Sequence, residues 1–136
     1  MYLEKTYHFH SAHRNTELQH DRCSSIHGHT YFLTVKLEND KKPGKSTGLL
    51  FREVDEYINP IIEVLDHSFI IMESDPLYDL LLPFGMRLYP MKVESSAENL
   101  AEHIFQLIEY TGLPVFEVRL RETTTSEVVY TKSRAV

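Results

Sequence analysis

Three histidines and one cysteine stand in a spacing that metal and thiol chemistry use: His13, then Cys23-Ser-Ser-Ile-His27-Gly-His29. Imidazole nitrogen is a favoured zinc ligand. Three protein ligands with the fourth position open make the catalytic form of a zinc site, whereas a structural site is closed by four. On spacing alone, His27-x-His29 reads equally as a surface or core pair. Cys23 is the only cysteine in the chain. A single thiol beside a cationic centre is a candidate base or nucleophile, because positive charge lowers its pKa from about 8.5. The plain alternative is a small buried hydrophobe, but its neighbours Asp21, Arg22, Ser24 and Ser25 argue for an exposed loop.

These groups need elements to position them. Leu3, Tyr7, Phe9, Ser11 and His13 share one parity, which predicts a first strand ending near His13. Residues 14–26 are polar and aperiodic and read as the loop that carries Cys23. From His29 on, Tyr31, Leu33, Val35 and Leu37 alternate with Thr34, Lys36 and Glu38, a half-buried strand. His27 and His29 continue its apolar face, since residues two apart leave a strand on one side. Val54, Ile58, Ile61, Ile62 and Leu65 follow the helical period and predict a helix over 52–65, which Pro60 should kink or break. Ser95-Ser-Ala-Glu98 fits a capping box opening a second helix that stops at Gly112-Leu-Pro114. Phe116, Val118 and Leu120 predict a third main strand ending at Glu122, and a last strand covers about 128–132. Residues 68–93 resist a clean reading. A short helix at 76–82 and an added strand at 86–91 are expected there.

The order β-β-α-α-β-β predicts an α+β fold: a four-stranded antiparallel sheet with two helices on one face. In such a sheet the end of one strand lies beside the start of its neighbour. His13 and Glu122, at strand ends, then converge with His29, at a strand start.

Composition narrows the function classes. The 136 residues fit one domain, and the net charge of −6 argues against a nucleic-acid binder and supplies no basic patch for a membrane. One cysteine makes no internal disulfide, and the N-terminus alternates like a strand instead of forming an apolar leader, so a cytoplasmic location is expected.

Five pieces stand in order: Phe9-His-Ser-Ala-His13-Arg14, Cys23-x-x-x-His27-Gly-His29, Leu65-Asp66-His67, Ala97-Glu98-Asn99-Leu100-Ala101, and Arg121-Glu122-Thr123 followed by Tyr130. Together they resemble the 6-pyruvoyl-tetrahydropterin synthase family, which includes the bacterial 6-carboxy-tetrahydropterin synthases of the queuosine pathway. The resemblance runs through nearly the whole chain. The Cys-x-x-x-His-Gly-His spacing is closer to the 6-carboxy branch than to the animal pyruvoyl synthases.

The resemblance implies the tunnelling fold, with sheets joined into barrels, two barrels stacked as a homohexamer, and active sites at subunit interfaces. It implies zinc on His13, His27 and His29, and Cys23 as the general base. Asp66 and His67 correspond to the family's second catalytic pair. Adjacent residues do not face each other on a helix, so a direct carboxylate–imidazole contact is not required. Without the resemblance, His67 reads as a histidine interacting with a helix C-terminus. Glu122 corresponds to the pterin anchor, a carboxylate accepting two N–H donors side by side. As a residue alone it is a strand-end surface glutamate. Glu98 is kept in the family, although the capping box accounts for it. Ser96 stands where threonine is common and keeps a hydroxyl for a substrate hydrogen bond.

The implied activity is a zinc-dependent lyase converting 7,8-dihydroneopterin triphosphate to 6-carboxy-5,6,7,8-tetrahydropterin, with loss of triphosphate and acetaldehyde. The alternatives are 6-pyruvoyl-tetrahydropterin formation by triphosphate elimination, and a non-catalytic pterin- or purine-binding homologue with zinc as scaffold. Arg52, which stands where many members carry an acid or amide nearby, keeps the second alternative in view. Arg14 is a candidate partner for a substrate phosphate. His8, His10, His20 and His103 receive no role.

Overall fold

The computed structural model describes residues 1–132. Two long strands, β1 (Tyr2–His13) and β2 (His27–Glu38), pair antiparallel along their whole length, from Tyr2 opposite Glu38 to His13 opposite His27. Their odd-numbered apolar residues share one face, where Phe9, Tyr31, Leu33, Val35 and Leu37 are fully buried. Phe9 and Tyr31 stack with ring centroids 4.9 Å apart. Helix α1 (Phe51–Leu65) follows β2. Its buried residues Val54, Ile58 and Leu65 recur at helical spacing and join the same core. Asp55 on α1 binds Lys5 and accepts a 2.7 Å hydrogen bond from the Tyr7 hydroxyl, which fixes the helix on β1.

Pro60 does not divide α1, which runs uninterrupted to Leu65. Pro60 and Glu56, whose carbonyl loses its partner, both lie on the exposed side, so water replaces the missing bond.

The expected four-stranded antiparallel sheet is corrected to six strands in the order β4-β3-β1-β2-β5-β6. The element order is β-β-α-β-α-β-α-β-β, with three α-helices. Strand β3 (Ser68–Met72) pairs parallel with β1, and β4 (Leu88–Met91) pairs parallel with β3. The physical reason lies in the run Ser-Phe-Ile-Ile-Met, four of whose five residues are buried. A strand covered on both faces loses the alternation by which strands are read. Helix α2 (Pro76–Leu81) links β3 to β4. Helix α3 (Ala97–Tyr110) packs Leu100, Ala101, Ile104, Phe105 and Ile108 into the core. Strands β5 (Val115–Arg121) and β6 (Glu127–Thr131) then extend the sheet beyond β2.

The predicted capping box is also corrected. Ser96 caps α3, accepting from the backbone N–H of Asn99 at 3.2 Å, and the Asn99 side chain reaches back to the carbonyl of Glu94. Ser95 is spent elsewhere: its hydroxyl donates to the carbonyl of Arg14. Glu98 is therefore not a capping residue and stays exposed.

Helices α1 and α3 cover one face of the sheet. The opposite face, carrying Glu4, Thr6, His8, His10, Phe32 and Arg121, is exposed within the chain. No helix among the described residues is long and apolar enough to cross a membrane.

Candidate metal centre and adjoining cavity

His13, at the end of β1, faces His27 and His29, at the start of β2, because the two strands run antiparallel in register. The side chains emerge on the core-facing side, and one ligand atom from each lies within 4.8 Å of the others. Two of the rings are aimed by backbone carbonyls. His13 Nδ1 donates to the carbonyl of Ser95 at 2.6 Å, and His27 Nδ1 to that of Ser25 at 2.7 Å. A carbonyl only accepts, so each Nδ1 carries a proton and each ring turns its Nε2 toward the others. His13 Nε2 is buried without a hydrogen-bond partner. A buried imidazole nitrogen without a hydrogen-bond partner, converging with two others, is the donor set a zinc ion takes, and the residues present fit such an ion. Burial holds the His29 pKa below its ordinary value, which keeps that ring neutral and available as a ligand.

Glu122 follows the last residue of β5 and turns its carboxylate into the cluster. One oxygen lies 3.1 Å from both His13 Nε2 and His29 Nε2. The imidazole of His13, first, and the other two rings hold the Glu122 carboxyl below the usual range against the opposing effect of burial.

The cluster opens into a cavity of about 500 Å³. Its walls include His13, Cys23, His27, His29, Ser96, Glu98 and Glu122, which are seven of the nine predicted site residues. Cys23 is exposed, as its polar neighbours suggested. It sits in a short 3-10 turn (Arg22–Ser24) whose start is capped by Asp21, which accepts the Cys23 N–H at 2.9 Å. Partial burial, then Asp21 and Glu122, raise the thiol pKa. The direction is opposite to the expected lowering. The local charge is acidic, and only a cation on the histidines would reverse it.

The loop is tied down at its base. The Asn15 N–H donates to the carbonyl of Cys23 at 2.7 Å, and the Thr16 N–H to Glu94 at 3.2 Å. Arg14 makes a bidentate pair with Asp75, at 2.7 and 2.6 Å. Asp75 is 3% exposed. Arg14 is thus a structural clamp and not a free phosphate ligand. Arg52 lies exposed at the start of α1 and does not line the cavity.

Asp66 and His67 are not brought to this cavity. His67 follows α1 with a left-handed backbone, φ 58°, and its N–H donates to the carbonyl of His10. That turn lets Asp66 meet its own neighbour. One oxygen accepts the His10 N–H at 2.8 Å and the other contacts His67 Nδ1 at 2.8 Å. The pair is direct because the chain has left the helix before His67. The backbone hydrogen bond from His10, with help from His67, holds the Asp66 carboxyl below its usual range. His67 lies beside His10, with ring centroids 5.9 Å apart, on the face of the sheet away from the histidine cluster. It lines a second groove of about 700 Å³ with Ala12, Thr30 and Arg87, and His29 lines both cavities.

Sequence reasoning missed the carbonyls of Ser95 and Ser25, the Asp21 contact to Cys23, and Asp75. The first two have no side-chain signature. Asp21 two residues before Cys23 is the one signal that was present.

Comparisons with known proteins identify the family. Residues 2–133 match the family model described as 6-pyruvoyl tetrahydropterin synthase. A 6-carboxy-5,6,7,8-tetrahydropterin synthase of Aquifex aeolicus is 30% identical over 155 aligned positions, covering 94% of this chain and 96% of the relative. A protein of the same name from Haemophilus influenzae is 28% identical, covering 82% and 86%. Among solved structures, an uncharacterized protein of Wolinella succinogenes superposes with a TM-score of 0.77 at 23% identity, covering 98% of both chains. The 6-pyruvoyl tetrahydropterin synthase of Caenorhabditis elegans gives 0.72 at 19% identity, covering 98% and 96%. At these identities the structural likeness establishes the α+β tunnelling fold alone. With the motif spacing, the three-histidine cluster and the match along almost its full length, the chain belongs to the 6-pyruvoyl tetrahydropterin synthase family of enzymes.

Proposed function

We propose that this protein is a zinc-dependent 6-carboxy-5,6,7,8-tetrahydropterin synthase acting on 7,8-dihydroneopterin triphosphate. The observation that carries this reading is the convergence of His13, His27 and His29 beside Cys23 at the mouth of one cavity. The relatives at 28 and 30% identity bear that name and favour the 6-carboxy product over the 6-pyruvoyl one.

His13, His27 and His29 hold the metal. Zinc bound there supplies Lewis acidity toward the side-chain oxygens of the substrate, which acidifies the adjacent C–H. Cys23 takes that proton as a thiolate. Glu122 orients the pterin ring by accepting its 2-amino and ring N–H donors. Ser96 keeps its O–H as a donor to the substrate, because only its acceptor lone pair is used by the helix cap. Glu98, free of the cap, lines the same wall and adds a second carboxylate toward the ligand.

His67 accepts or returns a proton, with its tautomer fixed by Asp66 at Nδ1. Within one chain the pair stands on the wrong face of the sheet for this task, so it acts in the site of a neighbouring copy. The exposed edge strands β4 and β6 and the polar, uncovered face support assembly into the ring-like homohexamer.

The test is turnover of 7,8-dihydroneopterin triphosphate by purified protein, with and without zinc, with products read by mass. Zinc-dependent 6-carboxytetrahydropterin supports the proposal, and a 6-pyruvoyl product moves the protein to the other branch. Unchanged substrate with zinc and pterin both bound favours a non-catalytic binding protein.

A further inference from the structure

The cavity at the histidine cluster is ill suited to the most highly charged part of the proposed substrate. Glu98, Glu122 and Glu127 line it, and among the described residues no Lys or Arg does. A triphosphate ester carries several negative charges at neutral pH, and carboxylates repel it. Arg14 is paired with Asp75, and Arg52 lines neither this cavity nor the groove that holds His67. The phosphate charge has to be met from another surface.

The groove beside His67 has the opposite character. Arg87 lines it with His10, His29 and His67, and among the described residues no Asp or Glu does. The adjacent acid, Asp66, has both oxygens occupied, one by the His10 N–H and one by His67 Nδ1. Arg87 is fastened to the chain on both sides of His67. Its carbonyl accepts the Phe69 N–H at 2.8 Å. Its Nη2 donates to the carbonyls of Glu63 at 2.8 Å and Asp66 at 3.2 Å. Both carbonyls belong to the C-terminal end of α1, where a cation is favoured. That cap accounts for one nitrogen only. Nε and Nη1 make no hydrogen bond among the described residues, and Arg87 is exposed. A guanidinium pinned at one nitrogen presents its other donors with little further loss of freedom, and that fork matches phosphate oxygens.

We propose that Arg87 binds the triphosphate of the substrate in the site that His67 serves. This rests on the reading above, in which the substrate is 7,8-dihydroneopterin triphosphate and His67 handles a proton of its side chain. The triphosphate is carried on the last carbon of that side chain, so a histidine that reaches the side chain brings its own groove to the phosphates. Because Arg87 is tied to residues on either side of His67, the two enter a neighbouring copy's site together. One copy then supplies the metal ligands and the carboxylate for the pterin ring. The other supplies the proton carrier and the counter-charge for the phosphates.

The test compares two fluorescent ligands that differ only in the phosphates, neopterin and neopterin triphosphate, on the assembled zinc-loaded protein. Wild type should prefer the triphosphate. Arg87→Gln should lose about tenfold to a hundredfold in affinity for the triphosphate, the worth of charged hydrogen bonds, and stay within about twofold for neopterin. A role confined to capping α1 or seating His67 moves both ligands alike or neither. Inorganic tripolyphosphate on wild-type protein gives a second readout without a variant. It should displace neopterin triphosphate but not neopterin, and slow amide hydrogen exchange around residues 66–69 and 86–88.

An equal loss of both ligands in Arg87→Gln, or an unchanged preference for the triphosphate, overturns the assignment. If that variant does not fold, the wild type decides: tripolyphosphate that fails to bind, or binds without slowing exchange at those residues, overturns it too. Wild-type protein that binds neopterin and its triphosphate equally keeps the pterin reading and removes the phosphate site. Wild-type protein that binds neither pterin overturns the substrate reading and this proposal with it.

Discussion

His13 and His67 project from opposite faces of one sheet. His13 packs with Tyr31 on the helix-covered side, ring centroids 6.1 Å apart, while His67 lies beside His10 on the exposed side. The parallel pairing of β3 with β1, Ser68 opposite Ser11, fixes this, because it sets His67 level with His10 and on its face. A complete site on the proposed mechanism then needs two copies. His29→Ala and His67→Ala proteins, each inactive alone, should regain activity when unfolded together and reassembled. Random mixing leaves about a quarter of sites with both halves intact. No recovery, with mixed oligomers confirmed by mass, would remove the shared-site reading.

On the proposed reading the metal is held by His13, His27 and His29. His29→Ala should lower zinc content from one per chain to near zero after dialysis, with the fold retained because His29 is only half-buried. His13→Ala should lose zinc and also stability, since its ring is buried and anchors Ser95. Full zinc retention in both proteins would refute the ligand assignment.

Cys23 sits in an acidic setting that pushes its thiol pKa upward. At pH 7.5 the zinc-free protein should therefore alkylate with iodoacetamide more slowly than an ordinary cysteine, and its rate profile should be shifted to higher pH. Zinc on the neighbouring histidines should move that profile down, because positive charge favours the thiolate. Cys23→Ala should cut turnover by about 10²–10⁴ while zinc binding stays unchanged. A zinc-insensitive alkylation profile would disconnect the thiol from the metal.

The Arg14–Asp75 pair anchors the loop that carries Cys23. Asp75→Asn keeps the cap on Leu77 but loses the charge on a bidentate bond, and should cost about 2 kcal/mol at pH 7 by urea unfolding. Arg14, first, holds the Asp75 carboxyl below its ordinary value. The unfolded value is about 3.9. The stabilisation is therefore full above pH 4 and disappears as the pH falls through the lower folded value. Wild type and variant should converge in stability in strong acid, and a constant gap down to pH 2 would contradict an ionic origin.

Ser96 has a structural duty independent of substrate. Ser96→Ala should cost about 1 kcal/mol through the lost cap on α3. Ser96→Asp preserves the acceptor but not the neutral O–H donor. Restored stability with weakened substrate binding in that variant would separate the two duties, and unchanged KM would leave only the cap.

Much of this was legible from residues. The alternation of β1, β2 and β5 and the helical period of α1 and α3 follow from one buried face each, and such elements print their burial on the sequence. The histidine cluster was legible through the family resemblance, since parity placed its members on one face but left the pair equally readable as surface or core. Strand β3 was not, since a strand buried on both sides has no period and its parallel partner lies far away in the chain. The role of Arg14 was misread because Asp75 is 61 residues distant. The direct Asp66–His67 contact depends on one left-handed residue, and helix spacing argues against it until that φ is known.

The two halves of the site differ in how freely they can be altered by evolution. His13 is a core residue as well as a proposed ligand, with Tyr31 against its ring and Ser95 on its nitrogen, so any replacement is judged by folding before chemistry. His67 is exposed, and little of the core depends on it. Descendants of this chain can change the half proposed to handle protons by single substitutions while the fold stays intact. The metal half is inherited nearly whole or lost, so new reactions on this scaffold are expected to begin at the exposed face.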